Sequence, residues 1–282
     1  MANSSAKNDF SEREFPMTSR DFDQIRNLAY SLTGIKLSEH KKNMIYGRLA
    51  RRLRFLDIAT FEGYCDLLTK DNSPEHGEFI NSITTNLTSF FRENHHFDYL
   101  VNQALPQLQK TNGGHKKIRI WSAGCSTGEE PYSISMSVKL LHSLTNWDVK
   151  ILATDLDSNV IEKASSGIYA EERVESVEKK YHKFYSRHKT DGTVLVNEKA
   201  RELIRFNQLN LLENWPMRGT FDIIFCRNVV IYFDVETQKN LFERYAEIMN
   251  PNGILFIGHS ESLHNISNRF TAIGRTIYRR VR

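Results

Sequence analysis

Two glutamates, Glu129 and Glu130, stand directly behind a turn of small residues, Gly124-Cys125-Ser126-Thr127-Gly128. Backbone in such a turn can approach a ligand closely, and Pro131 suits the first turn of a following helix. A pyrophosphate seated at that helix N-terminus would be repelled by Glu129. A ligand with positive charge near the turn, such as S-adenosylmethionine with its ammonium and sulfonium, fits better. The plainer use of the two acids is to complement the helix dipole, at about 0.3–1 kcal/mol each. Asp155 closes a second apolar run, where an acid can accept both ribose hydroxyls of an adenosine group. Asp157 or Ser158 can cap the helix that comes next, which leaves Asp155 for another task.

Further polar residues fall at matching places. Asn210-Leu211 follows a third apolar run and offers an adenine ring an amide and an apolar wall. Arg227 and Asn228 follow a fourth run, with Tyr232 shortly after them, and His259-Ser260-Glu261 follows a fifth. Asn86, Thr88 and Arg92 cluster among the apolar residues of 84–92. His259 and His264 have no metal-like spacing with a third ligand, so no metal site is expected.

The elements that must position these groups alternate. Strands are expected at 117–123, 149–155, 203–209, 221–226 and 253–258, with helices between them that include 158–166 and 234–249. Such alternation predicts an α/β fold with a mostly parallel sheet and helices on both faces, whose ligands lie along the carboxyl ends of the strands. Residues 270–274 and 276–281 read as a closing antiparallel hairpin. The charged interval from about 168 to 205 breaks the rhythm. Asp191-Gly192 there signals a tight turn, so a small antiparallel β-insert is expected. Before the sheet, amphipathic runs from Thr18, Glu39 and Thr60 predict a small all-α module. The expected division is a helical domain at 17–72 and a larger domain at 73–282, opening on a linker helix at about 73–92. Asp71-Asn72-Ser73-Pro74 marks the boundary. Residues 1 to about 16 read as polar and disordered.

Composition describes an ordinary globular chain: 282 residues, 40% hydrophobic and 26% charged. No apolar run approaches the ~18 residues needed to span a bilayer. No signal peptide is evident, and Cys65, Cys125 and Cys226 fit neither disulfide nor metal spacing, which together predict a cytoplasmic setting. The formal net charge is only +4. However, Lys36, Lys41, Lys42, Arg48, Arg51, Arg52 and Arg54 crowd one short span against Glu39 alone. A solvated helix flank and a docking face for an anionic partner both account for that crowding.

The run Thr84-Thr85-Asn86-Leu87-Thr88-Ser89-Phe90-Phe91-Arg92, with Ser126-Thr127-Gly128-Glu129-Glu130-Pro131-Tyr132-Ser133, Phe225-Cys226-Arg227-Asn228-Val229-Val230-Ile231-Tyr232-Phe233 and Gly258-His259-Ser260-Glu261, resembles the CheR-type chemoreceptor methyltransferases. The resemblance extends from about Phe22 to Tyr278. It implies a Rossmann-like S-adenosylmethionine-dependent methyltransferase fold and methyl transfer to glutamate side chains of chemotaxis receptors, with S-adenosylhomocysteine as product. It implies that Asn86, Thr88, Arg92, Glu129, Asp155, Asn210, Leu211, Arg227 and Asn228 line the cofactor site, with Arg92 and Tyr232 near the transferred methyl. The basic helical face, with Lys41, Arg48, Arg51 and Arg52, would dock on the receptor's cytoplasmic methylation helices, and the β-insert would hold a receptor's C-terminal tail peptide. A monomer is expected. Two departures from the wider methyltransferase class are Ser126, where glycine is usual, and Ser122, near which an acid is usual.

The chemistry asks little of a base. A glutamate of ordinary pKa, about 4.3, is already ionised at pH 7, so the enzyme's task is alignment of oxygen, methyl carbon and sulfur. Rival readings share the sheet. DNA amino-methylating enzymes favour Pro-Pro-aromatic where this chain reads Cys226-Arg227-Asn228-Val229, so no nucleic-acid partner is expected. A nicotinamide oxidoreductase is disfavoured by Glu129. A non-catalytic cofactor-binding adaptor would carry the same binding residues.

Overall fold

The computed structural model describes residues 13–188 and 191–281. Of the segment expected to be disordered, residues 1–12 lie outside the described residues. Phe15, by contrast, is buried, and its amide donates to Tyr46 Oη (3.3 Å). Met17 is buried beside it in the chain, Arg13 donates to Asn43 and Glu14 pairs with Arg54, tertiary contacts that a polar composition does not disclose. Chain contacts divide the protein into two compact units, up to Thr84 and from Thr85 onward. The break at Asp71–Pro74 therefore lies inside the first unit.

In the first unit, α1 (Ser19–Thr33) starts at a capping box of Thr18 and Asp21 and stops at Gly34, whose φ is +71°. Helices α2 (Lys42–Leu56), α3 (Phe61–Leu68) and α4 (His76–Ile83) follow. Their apolar stripes bury Phe22, Ile25, Ile45, Leu49, Leu53, Phe61 and Phe79 together. The basic helix α2 spends part of its charge inside this unit. Arg52 forms a two-pronged pair with the buried Glu75 (2.7 and 2.8 Å), which also accepts from Tyr64 Oη. Arg48 donates to the carbonyls of Ser82 and Thr84 at the end of α4. Arg51 is exposed, while burial and the neighbouring Arg48 lower the Lys41 pKa.

In the second unit, α5 (His95–Tyr99) and α6 (Leu105–Thr111) precede a seven-stranded sheet. Its strands are β1 (Lys117–Ala123), β2 (Asp148–Asp155), β6 (Ile204–Gln208), β7 (Phe221–Cys226), β8 (Met249–Ile257), β9 (Phe270–Gly274) and β10 (Ile277–Arg280). The order is β6-β2-β1-β7-β8-β10-β9. The first five strands run parallel, and β10 and β9 close the edge antiparallel, as the sequence pattern predicts. Helices α7 (Glu129–Leu140), α8 (Ser158–Ser166) and α10 (Val235–Ile248) supply the crossovers, and a short α9 (Glu198–Arg201) precedes β6. β7 is buried along its whole length, as a strand covered on both faces must be. One core gathers Ile120, Tyr132, Phe225 and Phe256; the other gathers Trp121, Ile224, Phe242 and Tyr245. The expected β-insert is a separate antiparallel sheet of β3 (Ile168–Ala170), β4 (Tyr185–Arg187) and β5 (Thr193–Val196), in the order β3-β5-β4. Residues 189–190, beside the Asp191-Gly192 turn, lie outside the described residues. No helix among the described residues is long and apolar enough to cross a membrane.

Candidate active site

Four chain segments converge at the carboxyl ends of β1, β2 and β7. The turn after β1 is tied to β2 by the amides of Gly124 and Cys125, which both donate to Thr154 O (2.8 and 2.9 Å). Ser126 N–H then donates to the Asp155 carboxylate (2.8 Å), and Ser126 Oγ donates to Asn86 O (2.9 Å). Ser126 has φ +49°, a region that glycine enters more easily, and these two bonds hold a serine there. Gly128 at φ +97° has no such latitude: a Cβ would sit 2.8 Å from both Ala164 Cβ and Tyr169 Oη. Asp157 caps α8 through the amides of Asn159 and Val160 and also accepts from Asn86 Nδ2 (2.7 Å). Asp155 is thus released from capping, as expected. Burial pushes its pKa up to about 6 against the pull of its amide donors.

The two glutamates behind the turn part company. Glu129 is only 1% exposed, and its carboxylate accepts from Thr127 Oγ1 (2.6 Å) and pairs with Arg173. Arg173, just after β3, also donates to Thr88 O (2.8 Å). Glu130 instead faces the sheet, accepting from Ser122 Oγ (2.6 Å) and from Arg227 Nη1 (3.0 Å). The acid that Ser122 lacks at the end of β1 is therefore supplied by the helix.

Arg227 was expected to face a ligand. It is 6% exposed, and its guanidinium is held by Glu130, by the carbonyl of Arg92 and, at 3.6 Å, by Glu93. Its observed contacts are with the protein, and through the Arg92 carbonyl it fixes the backbone that carries the Arg92 side chain. Arg92 donates to Leu87 O (2.9 Å). Its charge also reaches Tyr232, where it lowers a phenol pKa that burial raises on balance. Arg92 and Tyr232 are thus near enough for the charge of one to act on the other. Asn228, at φ +58°, opens a turn whose amides converge on one carboxylate. Glu261 accepts from Gly258, Asn228, Val229 and Val230, at 2.5 to 3.0 Å. Gly258 has to be bare, since a Cβ would fall 2.5 Å from Asn228 Nδ2. Asn210 and Leu211 lie one and two residues beyond Leu209, whose amide donates to Asp155 O (2.9 Å). The Asn210 side chain accepts from Leu212 N–H and donates to Glu213 within its own turn.

Arg173 and Glu93 are additions to the expected set. Arg173 lies in a charged interval without periodicity and had no sequence signal. Glu93 did have one, as an acid adjoining Arg92 at the end of the 84–92 run. It accepts from the amide and ring of His259 (3.2 and 2.9 Å). Glu93, His95 and His96 also offer ligand atoms within 4.8 Å of one another. Arg227 beside Glu93 disfavours a further cation there.

His96 is fully buried, bonded through Nε2 to Thr276 Oγ1 (2.8 Å), and burial with the nearby Arg227 lowers its pKa to about 3. Below pH 6.5 the unfolded chain binds a proton here that the folded chain refuses, so stability must fall with pH. Between pH 6.5 and 5 His96 alone should remove ~2 kcal/mol. Urea unfolding of wild type against His96→Gln across that range measures it, and equal pH slopes would contradict the assignment.

Known proteins place these features in context. A family profile described as "CheR methyltransferase, SAM binding domain" matches residues 86–279, and one described as "CheR methyltransferase, all-alpha domain" matches residues 20–84. The chain is 44% identical over 275 residues to chemotaxis protein methyltransferase 2 of Pseudomonas aeruginosa, spanning 95% of this chain and 96% of that protein. It is 42% identical over 262 residues to the chemotaxis protein methyltransferase of Escherichia coli K12, spanning 91% and 89%. A probable chemotaxis protein methyltransferase of Rhizobium etli is 40% identical over 258 residues, spanning 89% and 96%.

Proposed function

The chain belongs to the CheR methyltransferase family, enzymes that transfer a methyl group from S-adenosylmethionine to receptor glutamates, and we propose that its cofactor lies along the ends of β1, β2 and β7. The donor chemistry suits that cofactor. Glu129 and Asp155 bracket the turn, a set fitted to an ammonium and a pair of hydroxyls and unfitted to a pyrophosphate. When bound, S-adenosylmethionine supplies an electrophilic methyl group on a sulfonium. Asn86, Thr88 and Glu129 hold the amino-acid end, Asp155 takes the ribose, and Asn210 and Leu211 take the adenine. Arg227 and Asn228 serve this wall chiefly by fixing its shape. Arg92 and Tyr232 orient the incoming glutamate carboxylate. The Tyr232 phenol, protonated at neutral pH with its pKa raised further by burial, donates a hydrogen bond, and the Arg92 guanidinium offers a charged fork. The carboxylate arrives ionised, so no side chain has to accept a proton, and loss of charge in the transition state favours a site that excludes water.

Docking on the receptor's cytoplasmic methylation helices falls to the basic face of Lys41, Arg48, Arg51 and Arg52, of which Arg51 is the most exposed member. The insert sheet, whose outer strands β3 and β4 each pair on one side only among the described residues, receives a receptor tail peptide as an added strand. A cytoplasmic monomer fits both contacts.

The observation that carries this reading is the 2.8 Å bond from Ser126 N–H to Asp155, which joins turn and acid at the ends of neighbouring parallel strands. Calorimetry with S-adenosylhomocysteine between pH 5 and 8 tests it. The proton must leave Asp155 before its carboxylate can accept two hydroxyls, so affinity should rise with pH through about 6 and level off above 7. Binding at pH 5 should be roughly ten-fold weaker than at pH 7. Asp155→Asn should flatten that dependence and weaken binding about ten-fold or more at pH 7. Absence of uptake by the wild type, or wild-type affinity in Asp155→Asn, would refute the placement.

A further inference from the structure

Among the described residues Arg173 is the one cation paired with Glu129, and it comes from outside the strand-end motifs. Both of its contacts, to Glu129 Oε1 and to Thr88 O, run through Nη2. A guanidinium carries five donors in a plane, so one nitrogen accounts for only part of its capacity. The Arg173 side chain is 38% exposed whereas that of Glu129 is 1% exposed, so the acid forms the floor of this corner and the guanidinium its open side. The N-terminus of α7, with its partial positive charge, adjoins both.

An α-amino acid presents an ammonium and a carboxylate on a single carbon. Glu129 by itself could serve only the ammonium and would leave the carboxylate facing a buried acid. The Glu129–Arg173 pair offers both complements side by side, and a zwitterion laid against it alternates four charges. We propose that Arg173 binds the α-carboxylate at the methionyl end of the cofactor, as a two-pronged guanidinium–carboxylate contact beside Glu129. This rests on the cofactor placement proposed above.

Titration calorimetry of the full-length protein with two ligands separates the claims. S-Adenosylhomocysteine carries the amino-acid end; 5′-methylthioadenosine keeps the nucleoside and thioether without it. Arg173→Gln should weaken S-adenosylhomocysteine at least ten-fold and leave 5′-methylthioadenosine unchanged. Arg173→Lys should fall between, because an ammonium keeps the charge and loses the fork. Equal weakening of both ligands would reduce Arg173 to a prop for the turn. Unchanged or tighter S-adenosylhomocysteine binding would make it a plug over Glu129. Either result overturns the proposal. Should Arg173→Gln not fold, the wild type decides: decarboxylated S-adenosylhomocysteine binding as tightly as the parent overturns it, and binding at least ten-fold weaker upholds it. Wild-type protein that takes up none of these ligands would instead sink the cofactor placement beneath it.

Discussion

Exchange of Glu130 for alanine is expected to cost ~3–5 kcal/mol of stability, the range found when one partner of a buried ion pair is removed. The carboxylate joins Ser122 on β1 to Arg227 beyond β7, and burial raises its pKa against the pull of Arg227. Without it the Arg227 guanidinium, already carrying a buried Nε with no hydrogen-bond partner among the described residues, keeps only Glu93 at 3.6 Å as counter-charge. Urea unfolding measures the loss. Replacing both partners by apolar residues, Glu130→Leu with Arg227→Met, should recover much of it, because the uncompensated charge goes too. A Glu130→Ala loss under 1 kcal/mol would show that water reaches Arg227.

Arg92→Ala should lower kcat for methylation of a receptor fragment about 10²–10³-fold, the scale seen when a positioned charged or hydrogen-bonding group is withdrawn from a reacting centre. The backbone of Arg92 is held from behind by Arg227, and its charge acts on the Tyr232 phenol. Arg92 side-chain loss leaves that scaffold standing, so unfolding midpoints should hardly move while turnover collapses. Arg92→Lys should restore part of the rate, since charge survives and the fork does not. Measured at saturating cofactor and receptor fragment, full turnover in Arg92→Ala would remove this residue from the reaction.

Much of this arrangement was legible in residue order. Alternating apolar runs and punctuating glycines foretold the parallel strands, and position at a strand end pointed to Asp155 and to Arg227-Asn228. A strand end tells where a side chain starts but not which way it turns. Arg227 sits at the expected edge and points inward, because Glu130, 97 positions earlier in the chain, supplies its counter-charge. The same limit hid Arg173, whose partner Glu129 stands 44 positions earlier, before β2 and α8. Ser122 looked like a missing acid for a related reason: the carboxylate it meets belongs to α7. Pairings of this kind are set by the packed sheet, and local periodicity carries no trace of them.

The Leu211 corner has an optical consequence. Its carbonyl accepts from the Trp215 indole (3.1 Å) and from Arg244 (2.6 Å), while Arg244 lies 3.9 Å above the Trp215 ring and Trp121 meets it edge-on at 4.9 Å. Any ligand that shifts Leu211 changes the polarity and hydrogen bonding felt by that indole, and its emission must move with it. Trp147 packs against the other core and supplies a steady background. The protein thus carries an intrinsic fluorophore beside Leu211, at the end of the cleft proposed for the adenine, readable without a label.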